Sequence, residues 1–102
     1  MNGELKKLQT AAEQGDADAQ FRLALYYEDA DTPERDFEKA VYWYTKSAEQ
    51  GNAYALNNLG VCFYNGQGVA ENAEEAKRLW LNAKERGNQT AAENLKIHFK
   101  TD

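Results

Sequence analysis

The chain has 102 residues, 42% of them hydrophobic and 12% aromatic, which suits one globular domain with a modest core and excludes a disordered chain. Its 17 acidic residues outweigh 12 basic ones, giving a formal charge of −5 that disfavours the phosphate backbone of nucleic acids and leaves basic protein partners open. Cys62 is the single cysteine, so no internal disulfide can form, and no apolar run is long enough for a signal peptide or a membrane span. The expected location is the cytoplasm.

The first predicted helix runs from about Glu4 to Gln14, with Leu5, Leu8, Ala11 and Ala12 at helical spacing. Gly15-Asp16 follows, and the same punctuation returns as Gly51-Asn52 and Gly87-Asn88, a period of 36 residues (51 − 15, 87 − 51). Glycine takes the left-handed conformation that ends a helix, and the Asp or Asn after it caps the next. So short a corner makes the two helices antiparallel neighbours. Ala19, Ala55 and Ala91 share this register, as do Leu23, Leu59 and Leu95, and then Tyr27, Phe63 and Phe99. A period of this length is the signature of stacked helix pairs.

The first helix of each unit is predicted at about 17–29, 53–65 and 89–100. Gly60 removes a side chain where another helix must come close; Ala24 and Lys96 hold the equivalent positions. The second helices are predicted at about 33–50 and 72–86. Their buried stripes are Phe37, Ala40, Val41, Trp43, Tyr44, Ser47 and Ala48 in one copy, and Ala73, Ala76, Leu79, Trp80 and Ala83 in the other. Asn72 and Glu75 have capping-box spacing. The earlier helix starts either at Thr32-Pro33 or at Asp36, which is in register with Asn72. Leu8 matches Tyr44 and Trp80, so residues 1–14 read as a half-repeat cap, 15–50 and 51–86 as full repeats, and 87–102 as a second half-repeat.

The run Ala55-x3-Leu59-Gly60-x2-Phe63-x2-Gly66-x-Gly68-Val69-x2-Asn72-x3-Ala76-x3-Trp80 resembles the Sel-one-like repeat, a relative of the tetratricopeptide repeat. Ala19, Leu23, Tyr27, Asp36, Lys39-Ala40, Trp43-Tyr44 and Ala48-Glu49-Gln50-Gly51 match it again. The resemblance implies an all-α, right-handed solenoid of antiparallel helix pairs, about six helices in all, acting as an adaptor or scaffold and not as an enzyme. Two departures stand out. Ala30-Asp31-Thr32-Pro33 replaces the Gly-x-Gly-Val loop, which predicts a remodelled turn, and Trp80 aligns with Tyr44 instead of Trp43, which predicts a different pocket for its ring.

Nothing in the inventory points to catalysis, metal or cofactor. Cys62 and His98 lie one period apart, hence on successive first helices, at a spacing of about 8–10 Å that is too wide for a nucleophile–base hydrogen bond. One His and one Cys cannot make a four-ligand zinc site. Gly66-Gln67-Gly68 lacks the spacing of a phosphate loop and reads as a turn. Asn88-Gln89-Thr90 matches the glycosylation pattern by chance, since no secretory signal accompanies it.

The resemblance does imply a working surface: first helices line the concave side, and ligands touch the residues between core positions. Carried onto this chain, that surface comprises Asp18, Phe21, Leu25 and Glu28, then Tyr54, Asn57, Val61, Tyr64 and Asn65, then Thr90, Glu93, Ile97 and Lys100. Its apolar and aromatic members mark a contact site, and Tyr is favoured at such places. The leading expectation is a protein or peptide partner held on that surface. A small acidic chain also suits an immunity protein neutralising a toxin or effector. A third possibility is self-assembly, a homodimer included, through Leu95, Ile97 and Phe99 on a terminal helix. An RNA-reading repeat is disfavoured by the charge.

Overall fold

The computed structural model describes residues 3–100. Among them six helices follow one another: α1 (Gly3–Glu13), α2 (Ala17–Glu28), α3 (Phe37–Glu49), α4 (Ala53–Asn65), α5 (Ala73–Glu85) and α6 (Gln89–Phe99). No described residue lies in a strand. Extensive packing joins only helices adjacent in the chain, so the hairpins advance as a row measuring 44 × 24 × 18 Å. A closed bundle would also pack helices distant in the chain; this is a helical-repeat solenoid.

The bend after each second helix is built the same way three times. Gly15, Gly51 and Gly87 hold φ at 101°, 88° and 93°, a region that costs other residues steric strain. The next N–H then reaches back five residues: Asp16 to the Ala11 carbonyl at 3.1 Å, Asn52 to Ser47 at 3.3 Å, Asn88 to Ala83 at 3.0 Å. That bond closes the outgoing helix. The same Asp or Asn opens the next one, its side-chain oxygen accepting the N–H of Ala19, Ala55 or Ala91 at 2.9, 2.9 and 2.8 Å. One dipeptide therefore ends a helix and starts its successor.

The bend inside each repeat also closes alike. Asp36 N–H donates to the Tyr27 carbonyl and Asn72 N–H to the Phe63 carbonyl, both at 2.8 Å. The remodelling expected of the first loop is confined to its path: α2 stops at Glu28 with Asp29 extended, whereas α4 runs one residue further in register and ends on Gly66 at φ 69°. Asp36, not Thr32-Pro33, starts α3, because its carboxylate accepts the Lys39 N–H at 3.1 Å. At α5 the capping box is half made. Asn72 accepts the Glu75 N–H at 3.0 Å, but the Glu75 carboxylate turns away to Arg78, at 2.5 and 3.0 Å.

Each repeat is organised round one buried ring on its second helix. Tyr44 and Trp80 are both essentially inaccessible and occupy equivalent positions, so the expected difference in pocket is not found. What differs is the residue across from it. A Cβ on Gly60 would come within 2.5 Å of the Trp80 indole nitrogen, while in repeat one, where the ring is the smaller Tyr44, the position in register with Gly60 is the buried Ala24. The larger ring faces the smaller residue. Each polar tip also finds a partner, as buried rings require: Trp80 Nε1 donates to the Asn57 carbonyl at 3.0 Å, and the Tyr44 hydroxyl donates to Glu28 Oε1.

Three expectations about burial are corrected. Ala73 is exposed, because it opens the first turn of α5 before that helix reaches the core. Phe37, Val41, Trp43 and Ala48 are only half-buried, flanking the ring instead of sharing its site. Leu95 is fully buried against the preceding repeat, leaving Ile97 as the exposed apolar residue of α6 and Phe99 half-covered.

Candidate partner-binding face

The first helices α2 and α4 each pack between two neighbours and leave one side open, and α6 packs on α5. At about 100° per residue, the open side of α4 carries Tyr54, Asn58, Val61 and Asn65, all of them exposed or half-exposed. The same register gives Asp18, Arg22 and Leu25 on α2, and Thr90, Asn94 and Ile97 on α6. Three rows therefore cross the helices: Asp18–Tyr54–Thr90, Arg22–Asn58–Asn94, and Leu25–Val61–Ile97. Tyr54 is 65% exposed, Leu25 41% and Ile97 69%. Of this row only Val61 packs against the core; Leu25 and Ile97 stand clear of it.

The surface expected from the sequence thus divides. Asp18, Leu25, Tyr54, Val61, Asn65 and Ile97 lie on the open side. Phe21, Glu28, Asn57 and Tyr64 instead stand on the flank, where a first helix meets its neighbours. Phe21 packs between Tyr44 (ring centroids 6.1 Å apart) and Tyr54 (5.7 Å). Tyr64 packs against Trp80 at 5.6 Å and His98 at 4.3 Å. Asn57 is only 6% exposed and is not a surface residue. Glu93 and Lys100 are exposed on α6 where, in the other repeats, the second helix is packed.

Two residues missed by sequence reasoning, Asn58 and Asn94, sit at the centre of the face, at one register position on successive repeats. They belong to a relay that crosses the molecule. Asn94 Nδ2 donates to Asn57 Oδ1 at 3.0 Å, Asn57 Nδ2 to Asn58 Oδ1 at 3.1 Å, and Asn58 Nδ2 to the Tyr44 hydroxyl at 3.2 Å, which donates on to Glu28. Every donor points toward the carboxylate. The signal that could have found them was their 36-residue spacing together with the polar neighbour of each Leu. Arg22, third in the row, is held by Asp18 at 2.8 Å.

The titratable groups here are not poised for chemistry. Burial, and secondarily the Glu28 charge, pushes the Cys62 thiol up to about 12, the reverse of an activated nucleophile. Burial and the bond to Glu28 raise the Tyr44 phenol well above its ordinary range. His98 lies on the surface, its ring 5.6 Å from Trp80. Among the described residues, no group of three or more His, Cys, Asp or Glu is placed to hold a metal ion, and no helix is long and apolar enough to cross a membrane.

These features define a class: a helical-repeat solenoid whose first and second helices share the core and whose first helices also present a mixed apolar and amide face. The Sel1 repeat model matches residues 17–52 and 53–88, together most of the chain, and the chain belongs to the Sel1 repeat family. Both matched spans have the period read from the glycines, with a phase two residues later. A Sel1 repeat protein from Oxalobacter formigenes is 32% identical over 88% of this chain and 26% of its own, with a TM-score of 0.85. A protective antigen with an SLR fold, present in uropathogenic Escherichia coli strains, is 32% identical over 94% of this chain and 21% of its own, with a TM-score of 0.86. Cysteine-rich protein B of Helicobacter pylori is 25% identical over 93% of this chain and 73% of its own, with a TM-score of 0.84. This chain therefore spans about a quarter or less of the first two. No curated protein sequence matches it significantly. Proteins of this family are generally non-enzymatic scaffolds for protein interaction.

Proposed function

We propose that this chain is a non-catalytic interaction module that holds a protein or peptide segment on the open face of α2, α4 and α6. The observation that carries the reading is the exposure of Leu25, Tyr54 and Ile97, with the half-buried Val61 completing the row between Leu25 and Ile97. Exposed apolar groups rimmed by polar ones mark contact sites, and Tyr anchors them well. Asn58 and Asn94 add specificity. Among the described residues each amide donates one N–H within the relay, so the second remains for a partner carbonyl. Because the relay fixes their orientation before binding, little side-chain entropy is lost on contact.

The net charge of −5 favours a basic partner. A buried lone cysteine suits a reducing compartment, and the cytoplasm is the proposed location. The test is capture from the native host with wild-type bait and with a Tyr54→Ala/Val61→Asp bait of unchanged melting temperature. A partner should be retained by the first and lost by the second; equal retention would rule out this face as the docking surface. If the captured protein is a toxin, the module is an inhibitor, and co-expression should restore growth.

A further inference from the structure

About half a turn round α4 from its open side, Leu56, Leu59 and Phe63 form the floor of a cleft of about 490 Å³. Its walls are the C-terminal half of α3 and helix α5, two second helices that pack on α4 without packing extensively on each other. We propose that this cleft binds a small zwitterion with an apolar side chain, an α-amino acid of the leucine or phenylalanine kind. The inference goes beyond partner binding on the open face and does not depend on it.

The array holds its own comparison. One period earlier a smaller cleft, about 290 Å³, lies between α1 and α3, with Gly15, Gln20 and Trp43 where the larger one has Gly51, Leu56 and Leu79. That earlier cleft is tied across by amides. Gln50 Nε2 donates to the Gly15 carbonyl and to Gln20 Oε1, both at 2.9 Å, and Gln20 Nε2 donates to the Ala12 carbonyl at 3.0 Å. In the larger cleft the register puts Arg86 in place of Gln50 and Leu56 in place of Gln20. The donor becomes a cation and its acceptor becomes apolar surface. The Arg86 guanidinium fills the space left by the missing side chain of Gly51, where a Cβ would come within 2.6 Å of Nη1. Its Nε donates to Asn82 Oδ1 at 3.0 Å, while its two terminal nitrogens have no acceptor among the described residues.

The charges that line the cleft sort in the same direction. Glu75 and Arg78 neutralise each other through bonds of 3.0 and 2.5 Å. Arg86 and Glu49 remain, both exposed and neither in an ion pair among the described residues. One unpaired charge of each sign beside an apolar floor complements a carboxylate, an ammonium and an apolar side chain carried on one small molecule. The guanidinium fork suits the carboxylate and Glu49 the ammonium. A purely anionic ligand would face Glu49 and a purely cationic one Arg86, so either would meet a repulsion that a zwitterion avoids. The volume lies in the range of small-ligand sites. Because both charges are open to water, binding is weak and falls as salt is added.

Amide chemical shifts of the isotopically labelled full chain, titrated with leucine and with phenylalanine at low salt, test this. At least one of the two should give saturable shifts at Gly51, Leu56 and Arg86. Arg86→Gln, which installs the residue that repeat one carries at that position, should weaken binding about tenfold. Glu49→Gln should weaken it by a smaller factor, and circular dichroism should report the same helix content for both variants. The amide of the bound amino acid, which lacks the carboxylate, and its N-acetyl derivative, which lacks the ammonium, should each bind more weakly than the parent. No saturable shift with either amino acid, shifts confined to the open face, undiminished binding by either variant, or a blocked derivative that binds as tightly as its parent would each overturn the proposal.

Discussion

Helix α4 contributes both to the ring site of repeat two, through Gly60, and to the open face, through Tyr54, and the two positions answer to different constraints. Gly60 is fixed by what it touches: the Trp80 indole lies where its side chain would be. Tyr54, less than two turns away, is 65% exposed, its ring beside that of Phe21. Rings and their small neighbours set the distance between helices, whereas face residues take positions already set for them. Stability and recognition are therefore separable on this scaffold, and each can be altered alone.

The largest effect should come from the interior. Trp80→Ala removes the buried ring of repeat two and should cost about 3–5 kcal/mol, enough to unfold so short an array in a denaturant titration. Gly60→Ala puts a methyl group into the indole and should cost about 1–3 kcal/mol by overpacking, although alanine is the better helix former. Pairing it with Trp80→Tyr, which rebuilds the ring site of repeat one, should recover part of that loss. If the pair were merely additive, the compensation of ring and neighbour would be an accident of composition.

Smaller effects sharpen the contrast. Tyr44→Phe leaves Glu28 and Asn58 each short of a partner and should cost about 1 kcal/mol by thermal denaturation. The same variant should change the alkaline limb. Because the folded state holds the Tyr44 proton more tightly than the unfolded chain does, its stabilising contribution is complete below the ordinary tyrosine value near 10 and is lost as pH rises beyond it. Wild type should therefore lose stability more steeply above that pH than Tyr44→Phe. Smallest of all, Tyr54→Ala on the face should move stability by no more than about 0.5 kcal/mol.

The fold was legible in the sequence because its determinants are local and thrice repeated. Gly15-Asp16, Gly51-Asn52 and Gly87-Asn88 specify both the end of one helix and the start of the next, and no distant contact can overrule that chemistry. The start of α3 was less legible, since Pro33 and Asp36 can both open a helix, and the bonds that decide between them, from the Asp36 N–H to Tyr27 and from the Lys39 N–H to the Asp36 carboxylate, exist only in the folded chain. Of the residues that the resemblance implied for the face, Leu25, Tyr54, Val61 and Ile97 lie on the open side. Asn57 was misplaced because Trp80 and α6 both draw it inward, one bonding its carbonyl and the other its amide. Asn58, its neighbour in sequence, was overlooked for the same reason. Which of two adjacent polar residues faces solvent depends on how the next helix lies, and spacing cannot supply that.

One measurement bears most directly on the separation of the two regions: partner retention and melting temperature recorded together for Tyr54→Ala/Val61→Asp. The partner should be lost while the melting temperature stays within about 4 °C of wild type, since a change of about 0.5 kcal/mol shifts a domain of this size by about 2–4 °C. A partner held as firmly as before, or lost only because the array has melted, would contradict that separation.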